Sequence, residues 1–297
     1  MHSTKIEWCD STWNPVTGCL HKCEYCYARR IAHRFGGEAD LNETCIELNT
    51  KPKTAFPYGF QPTLHRYRLE EPKKFKKQQN VFVCSMGDLF GPWVPHDWQD
   101  EVFTACGDAD RHKYLLLTKY PEGIDPAIDS FVPEERGGQD SLEFFDIFWF
   151  GTTITCEEDL GRVDILSKIE EGHRFLSIEP LHGPIKLEIK KDRCPVCGSS
   201  EVYQENPRTS TTYPWYCDCC GEWESVDGDD LKPSIEWVII GAETGNRKGR
   251  VIPNVEWIIS IVDQCRAFGV PVFMKDSLAP IIGEKNMIRE FPGELQR

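Results

Sequence analysis

Six short apolar runs recur along this chain with helix-like stretches between them, and that alternation limits the fold more than any other feature of the sequence. The runs are residues 80–84, 114–117, 147–150, 174–178, 236–240 and 270–274. A weaker candidate for a first strand lies at Ile6-Glu7-Trp8. Helical spacing of apolar residues covers 97–109, 156–171 and 254–268, with Thr155 and Asn254 placed as N-caps. A strand–helix repeat of this kind predicts a parallel sheet. Each run ends in small or ionisable residues: Ser85-Met86-Gly87-Asp88, Thr118-Lys119, Gly151-Thr152-Thr153, Glu179-Pro180, Gly241-Ala242-Glu243 and Lys275-Asp276. In an α/β barrel the C-terminal strand ends open on one mouth, so a polar group at each is what a site there requires. Turn formation favours the same residue types, so the recurrence carries the expectation and no single position does.

The cysteines add chemistry. Cys19, Cys23 and Cys26 form a Cys-x3-Cys-x2-Cys triplet within Gly18–Tyr27, with no fourth cysteine close behind. Three thiolates on one loop can hold three irons of a cubane cluster and leave the fourth iron open to a small ligand. A zinc site is the weaker reading, because zinc sites pair two short knuckles or add histidines, and His21 sits inside the loop itself. Further along come Cys194-Pro195-Val196-Cys197-Gly198 and Cys217-Asp218-Cys219-Cys220-Gly221, with nineteen residues between Cys197 and Cys217. Two Cys-x2-Cys knuckles, each followed by glycine, predict a zinc ribbon in which Cys194, Cys197, Cys217 and Cys220 hold one tetrahedral ion. Cys219 is a spare that can substitute for a ligand or stay a free thiol. Residues 199–214 would be the ribbon's hairpin and the acidic run 227–230 its return linker. The ribbon is a staple for a segment too short to build its own core, and a recognition role is a further possibility that the lone Arg208 between the knuckles weakens.

The triplet resembles the signature of the radical S-adenosylmethionine (radical SAM) superfamily, including the aromatic Tyr25 before the last cysteine. Members typically use a full or partial barrel with the cluster loop after the first strand. The resemblance implies a [4Fe-4S] cluster whose open iron binds the methionine end of SAM, and cleavage of SAM to methionine and a 5′-deoxyadenosyl radical. Residues 8–19 and 26–30 look more narrowly like the opening of a phage-associated radical SAM family of unsettled function, related to spore photoproduct lyase. Residues 85–90, 177–181 and 239–245 resemble its later landmarks.

Carried over by position, the resemblance gives Cys19, Cys23 and Cys26 to the cluster and backbone groups around Tyr25 and Tyr27 to the adenine. Ser85, Gly87 and Asp88 stand where the superfamily has a Gly-Gly-Glu element for the SAM amino group. Thr153 is placed to reach the ribose, and Glu179 and Glu243 are candidates for ribose or substrate contacts. Lys275 is a rim cation that would pair with Glu243, the SAM carboxylate or a substrate phosphate. Cys9, Cys84 and Cys156, near strand ends, are candidate hydrogen donors to a product radical, although isolated cysteines are usually small buried hydrophobes.

Composition sets the outer bounds. The 297 residues are 40% hydrophobic, enough for a sizeable core. No apolar run spans a membrane and the polar start has no signal-peptide core, so a soluble, cytoplasmic protein is expected, in the host cytoplasm if phage-encoded. Seven of the 14 cysteines fall in metal-like groups, which reads as a reducing compartment. The net charge of −14 argues against general phosphate-backbone binding. It is uneven, however: the first 100 residues carry 13 Lys and Arg against 12 Asp and Glu. Arg29, Arg30 and Arg34, and a second group from Arg66 to Lys77, would let a polyanion approach that side, or form ordinary solvated faces.

The expectation is therefore an α/β fold, a partial or full (βα) TIM-like barrel of the radical SAM type at 1–190 and 231–297, with a zinc ribbon inserted at 191–230. The expected activity is SAM cleavage followed by hydrogen abstraction from a nucleobase or nucleotide, in DNA or RNA modification or repair. The expected partners are SAM, a reductant such as flavodoxin or ferredoxin, and a nucleotide or nucleic-acid substrate. The competing expectation is a non-catalytic iron-sulfur and zinc protein that binds nucleic acid or a partner protein.

Overall fold

Strand β1 (His2–Ser3) pairs antiparallel with β2 (Ser11–Trp13), the first of seven parallel strands laid side by side in chain order. The others are β3 (Asn80–Val83), β4 (Lys113–Thr118), β5 (Phe148–Thr153), β6 (His173–Ile178), β7 (Trp237–Ile240) and β8 (Val272–Met274). The computed structural model describes residues 1–36, 45–131, 144–204, 215–221, 224–225 and 231–296. Among these, β8 pairs with β7 and bridges only to Arg289 on its other side, while β2 pairs with β1 and β3, so β2 and β8 do not meet and the sheet is a curled half-barrel and not a closed one. Helices α1 (Tyr27–Gly36), α2 (His96–Gly107), α3 (Ile124–Ser130), α4 (Gly161–Leu166) and α5 (Val255–Ala267) fill the connections. No described helix is long and apolar enough to cross a membrane.

Successive strand residues face opposite sides of a sheet, and here the two sides carry different chemistry. Val81, Val83, Tyr114, Leu116, Phe148, Phe150, Leu176, Ile178, Val238 and Ile240 face outward into the main core. Their neighbours Phe82, Leu115, Trp149, Phe175, Trp237, Ile239 and Phe273 face inward and form a separate apolar cluster with Trp8 and Cys9. This cluster floors the half-barrel. The C-terminal segment seals it from below: Phe291 packs on Trp237 at 5.4 Å, the Trp237 indole donates to the Glu290 carbonyl at 3.0 Å, and the Asn80 amide donates to Leu295 O at 2.9 Å. Burying a side chain of this size contributes about 1.5–3 kcal/mol.

The six strands expected from the apolar runs are present with small boundary shifts. The first strand is not. Ile6-Glu7-Trp8 forms a turn, with Cys9 N donating to Ile6 O at 3.5 Å, and the strand that pairs with β3 is Ser11-Thr12-Trp13. Its polar Ser11 hid it: the hydroxyl is spent on Gln79 at 2.8 Å, so a short polar segment reads as a loop. Of the helix expected over 156–171, a 3-10 turn at Glu157–Asp159 and α4 form, separated by Leu160, and α4 ends at Leu166. Thr155 is not its N-cap. Both its amide and its hydroxyl donate to Asp159 Oδ2 at 2.8 Å. Asn254 does cap α5, accepting from Glu256 N at 3.1 Å.

Where the strand–helix repeat breaks, Lys191–Arg193 pairs antiparallel with Lys232–Pro233 and closes the base of an excursion. Above it, Val202–Gln204, Trp215–Cys217 and Glu224–Ser225 form a small antiparallel sheet. Much of the expected hairpin, with Arg208, and the acidic return at 227–230 lie outside the described residues. Arg193 ties the excursion to the barrel. Its fully buried guanidinium donates to Ser167 O, to Gly198 O at 3.2 Å and to Glu170 at 3.3 Å.

Candidate functional site

The triplet loop follows β2 and is clamped between two other turns. Gly18 bridges to Gly87, donating to Met86 O at 2.9 Å, while Cys19 N donates to Phe60 O at 3.2 Å. Only glycine serves at position 18: its φ is +89°, and a Cβ would stand 2.3 Å from the Gln61 carbonyl oxygen. Gly87 is similarly close, since its Cβ would lie 3.0 Å from Gly18 O. The end of the loop runs into α1. There Cys26 N donates to Cys23 O at 3.2 Å, Arg29 N to Cys26 Sγ at 3.3 Å, and the Arg29 guanidinium to Cys19 O at 3.2 Å. Asp88 holds the loop from the β3 side, bonding His21 Nε2 at 2.8 Å and accepting from the amides of Lys119 and Phe90 at 3.0 and 3.2 Å.

Above the apolar floor the inward-facing positions change character along each strand. Leu115-Leu117-Lys119, Trp149-Gly151-Thr153, Phe175-Ser177-Glu179, Ile239-Gly241-Glu243 and Phe273-Lys275 each climb from bulky apolar towards polar or charged residues. The small residues at mid-height leave a cavity of about 370 Å³, within the size range of small-molecule sites. Cys19, Cys23, Tyr25, Cys26, Tyr27, Ser85, Gly87, Asp88, Thr153, Glu179, Glu243 and Lys275 all line it.

Charge in the cavity is arranged in layers. Lys275 Nζ donates to both oxygens of Glu179, at 2.6 and 2.8 Å. The pair reaches across Gly241, which lies between them just past the end of β7 and carries no side chain. The expected pairing of Lys275 with Glu243 is not found, because Glu243 stands one inward position higher. Glu243 is instead gripped by Arg247 at 2.6 and 2.8 Å, with His182 at 3.6 Å, and the Arg247 hydrogen bond holds its carboxyl below the usual range. Arg247 also reaches Glu24 of the triplet loop at 3.3 Å.

On the opposite wall Lys119 bonds the Tyr25 hydroxyl and lies 4.9 Å from its ring centre. Burial lowers the Lys119 pKa, with Cys23 opposing the shift, and burial raises those of Tyr25, Tyr27 and Cys19. Tyr27 donates to Ser85 O at 2.6 Å.

Lys119, His182 and Arg247 were not among the residues expected here. Lys119 was legible as the next inward step after Leu115 and Leu117; Arg247 and His182 act from loops with no periodic signal. Of the three isolated thiols, Cys84 borders the cavity while packing in the outer core, its pKa raised to about 12 by burial. Cys9 lies in the floor cluster, and Cys156 sits beside Thr155 and Asp159, away from the cavity wall.

Gly241→Ala tests the layered packing. An added Cβ would stand 3.0 Å from the Glu179 carboxyl group, which Lys275 holds in place. The substitution is expected to cost about 1–2 kcal/mol by overpacking, measured by urea unfolding. A gain of about 0.5–1 kcal/mol, as in an ordinary strand, would contradict the arrangement.

The second cysteine group is geometrically distinct. The sulfurs of Cys194, Cys197, Cys217 and Cys220 all lie within 4.8 Å of one another, with Cys194–Cys220 at 3.8 Å and Cys197–Cys217 at 3.5 Å. Tetrahedral thiolates around one ion with bonds of about 2.3 Å stand about 3.8 Å apart, so this group fits a single metal ion. Cys219 is exposed and outside it. Among the described residues, Cys19, Cys23 and Cys26 make no such single-ion group.

No curated protein matches the chain. Among solved structures, a cysteine-to-serine variant of spore photoproduct lyase is similar at 13% identity with a TM-score of 0.41, covering 61% of this chain and 48% of that one. A double variant of the same lyase with bound AdoMet and dinucleoside spore photoproduct gives 12% identity, a TM-score of 0.41 and the same coverage. The chain thus spans about half the length of these structures. The family model described as "Protein of unknown function (DUF5131)" matches residues 3–284, and the chain belongs to that family.

Proposed function

We propose that this chain is a radical SAM enzyme whose substrate is a nucleobase or nucleotide. The observation that carries the reading is the company the triplet keeps: three thiols on one clamped loop share a cavity with polar groups from the strand ends around the half-barrel. The donor set suits a [4Fe-4S] cluster. Three sulfurs on one loop border the cavity, and the Arg29 amide already points at Cys26 Sγ at 3.3 Å. When bound, the cluster and SAM supply reductive cleavage of the sulfonium to methionine and a 5′-deoxyadenosyl radical, with the electron coming from a reductant such as flavodoxin or ferredoxin.

The chain's own residues bind, orient and shield. The Trp8, Trp149 and Trp237 floor closes the cavity against water from below. Backbone groups around Tyr25 and Tyr27 receive the adenine, and the Tyr27 hydroxyl on Ser85 O fixes that ring's tilt. Thr153 faces the ribose. Ser85 and Gly87 border the place for the SAM amino group, and Asp88, with three donors on its carboxylate, positions the loop through His21. Lys275 offers its ammonium to a carboxylate or phosphate at the cost of one of its bonds to Glu179. Glu243, neutralised by Arg247, is placed for a substrate hydroxyl or amine at the rim.

The four-cysteine group is assigned to zinc as a structural staple. Electron paramagnetic resonance tests the main reading: in reconstituted, reduced protein, adding SAM is expected to change the cluster signal. A fully assembled cluster whose signal ignores SAM would sink it.

A further inference from the structure

Helix α1 turns its small residues inward and its large apolar ones outward. Ala28 and Ala32 are buried against Phe60, whereas Tyr27, Ile31 and Phe35 are 45%, 37% and 59% exposed. These three are spaced one turn apart and share a face, about 5–6 Å between neighbours. Tight packing on Phe60 accounts for the alanines. It does not account for three large apolar side chains in water, and a contiguous exposed row of this kind marks an interaction surface.

The row has a direction. Tyr27 is both its first member and a wall of the cavity, so it begins inside the site and leads out along the helix. Arg30 and Arg34 lie on the same side of α1; Arg30 borders the cavity, and Arg34 sits 5.5 Å from the Phe35 ring centre. The loop after β7 adds exposed Lys248 and Arg250 and passes close to Arg30, within 3.8 Å of where a Gly245 Cβ would stand. Glu24, exposed on the same rim, is paired with Arg247. In a chain of net charge −14 this gathering of cations selects a polyanion, and the apolar row beside it selects one with exposed flat faces.

Resting on the nucleotide reading above and narrowing it, we propose that the outer face of α1 is a track for an unpaired nucleic-acid strand, which delivers its target nucleotide into the cavity past Tyr27. Bases stack on Tyr27 and Phe35 with Ile31 between, and phosphates meet Arg30 and Arg34. A duplex hides its base faces and cannot use the row, so the target must be single-stranded or extruded.

Fluorescence anisotropy with the full chain tests this, using a labelled 12-nucleotide strand, the same sequence as duplex, and inorganic polyphosphate, in about 50 mM salt. The strand is expected to bind at least about tenfold tighter than either competitor. Phe35→Ala and Ile31→Ser, both at exposed positions, should each weaken the strand roughly tenfold and leave polyphosphate unchanged. Arg34→Gln should reduce the salt slope by about one. Equal binding of polyphosphate, or no effect of the Phe35 and Ile31 variants, overturns the proposal. Absence of strand binding in protein whose cluster signal responds to SAM also overturns it, and leaves the cofactor reading intact and the face to an acidic protein. Strand binding by protein that ignores SAM upholds the track and removes the cofactor reading instead.

Discussion

Replacing Cys23 by alanine is expected to abolish SAM cleavage and to lower the iron content of the reconstituted protein. The loss should exceed the roughly 10–100-fold that follows removal of an outer-shell partner, because the sulfur itself is gone. Two features single this position out. Cys23 is carried on a loop whose course Gly18, Gly87 and Asp88 fix independently of its thiol, so the variant should fold normally. Its thiol also lines the cavity with Lys119 and Tyr25, near enough to influence the charge of both. Cys219→Ser is the matched control: that thiol is exposed and outside both groups, and iron content and cleavage should be unchanged. Iron analysis and chromatographic measurement of 5′-deoxyadenosine check both. A Cys23→Ala protein with full iron and undiminished cleavage would remove the triplet from the mechanism.

Cys197→Ser, or chelation of the metal, is expected to release one equivalent of zinc and to melt the excursion while the half-barrel stays folded. Structural zinc in small modules supplies about 10–16 kcal/mol of apparent binding free energy, most of which is folding free energy where little core exists. The apolar core here is small: Leu231 and Val202 pack with the cysteines themselves. Hydrogen exchange should show lost protection at 194–204 and 215–221, with β5, β6 and β7 unaffected. Arg193 makes the boundary informative. Its buried guanidinium bonds both the first knuckle, at Gly198 O, and the barrel, at Ser167 O, so protection at 191–193 should fall only partly. Unchanged protection across the knuckles after metal removal would show that the segment folds without its staple.

The parallel sheet was legible because its strands are apolar on both faces and bounded by turn residues, a pattern that survives without knowledge of tertiary contacts. The first strand was not, since Ser11-Thr12-Trp13 owes its pairing to β3 and its polar side chain to Gln79, neither visible in a window of three residues. The helix at 156–171 was overestimated because the Asp159 carboxylate, accepting from Thr155, holds a 3-10 first turn, and α4 stops at Leu166 although the periodicity looked continuous.

For the site, the polar groups at the strand ends were readable from their recurrence after each apolar run, as with Ser177 and Glu179 after Phe175. The pairing of charges was not. Which carboxylate meets Lys275 depends on height along neighbouring strands, a register quantity, and Gly241 decides it by being absent from the space between them. The outward row on α1 escaped for a related reason. Apolar residues at helical spacing predict a buried face, and only the tight fit of Ala28 and Ala32 on Phe60 turns that face into water.

The proposed function stands on cleavage of SAM at the triplet and the cavity it borders. Its most direct test is the anaerobic incubation of cluster-replete wild-type protein with SAM and dithionite, followed by quantitation of products. Methionine and 5′-deoxyadenosine in equal amounts are expected, each rising with time; a protein with its full complement of iron and sulfide that produces neither would contradict the account.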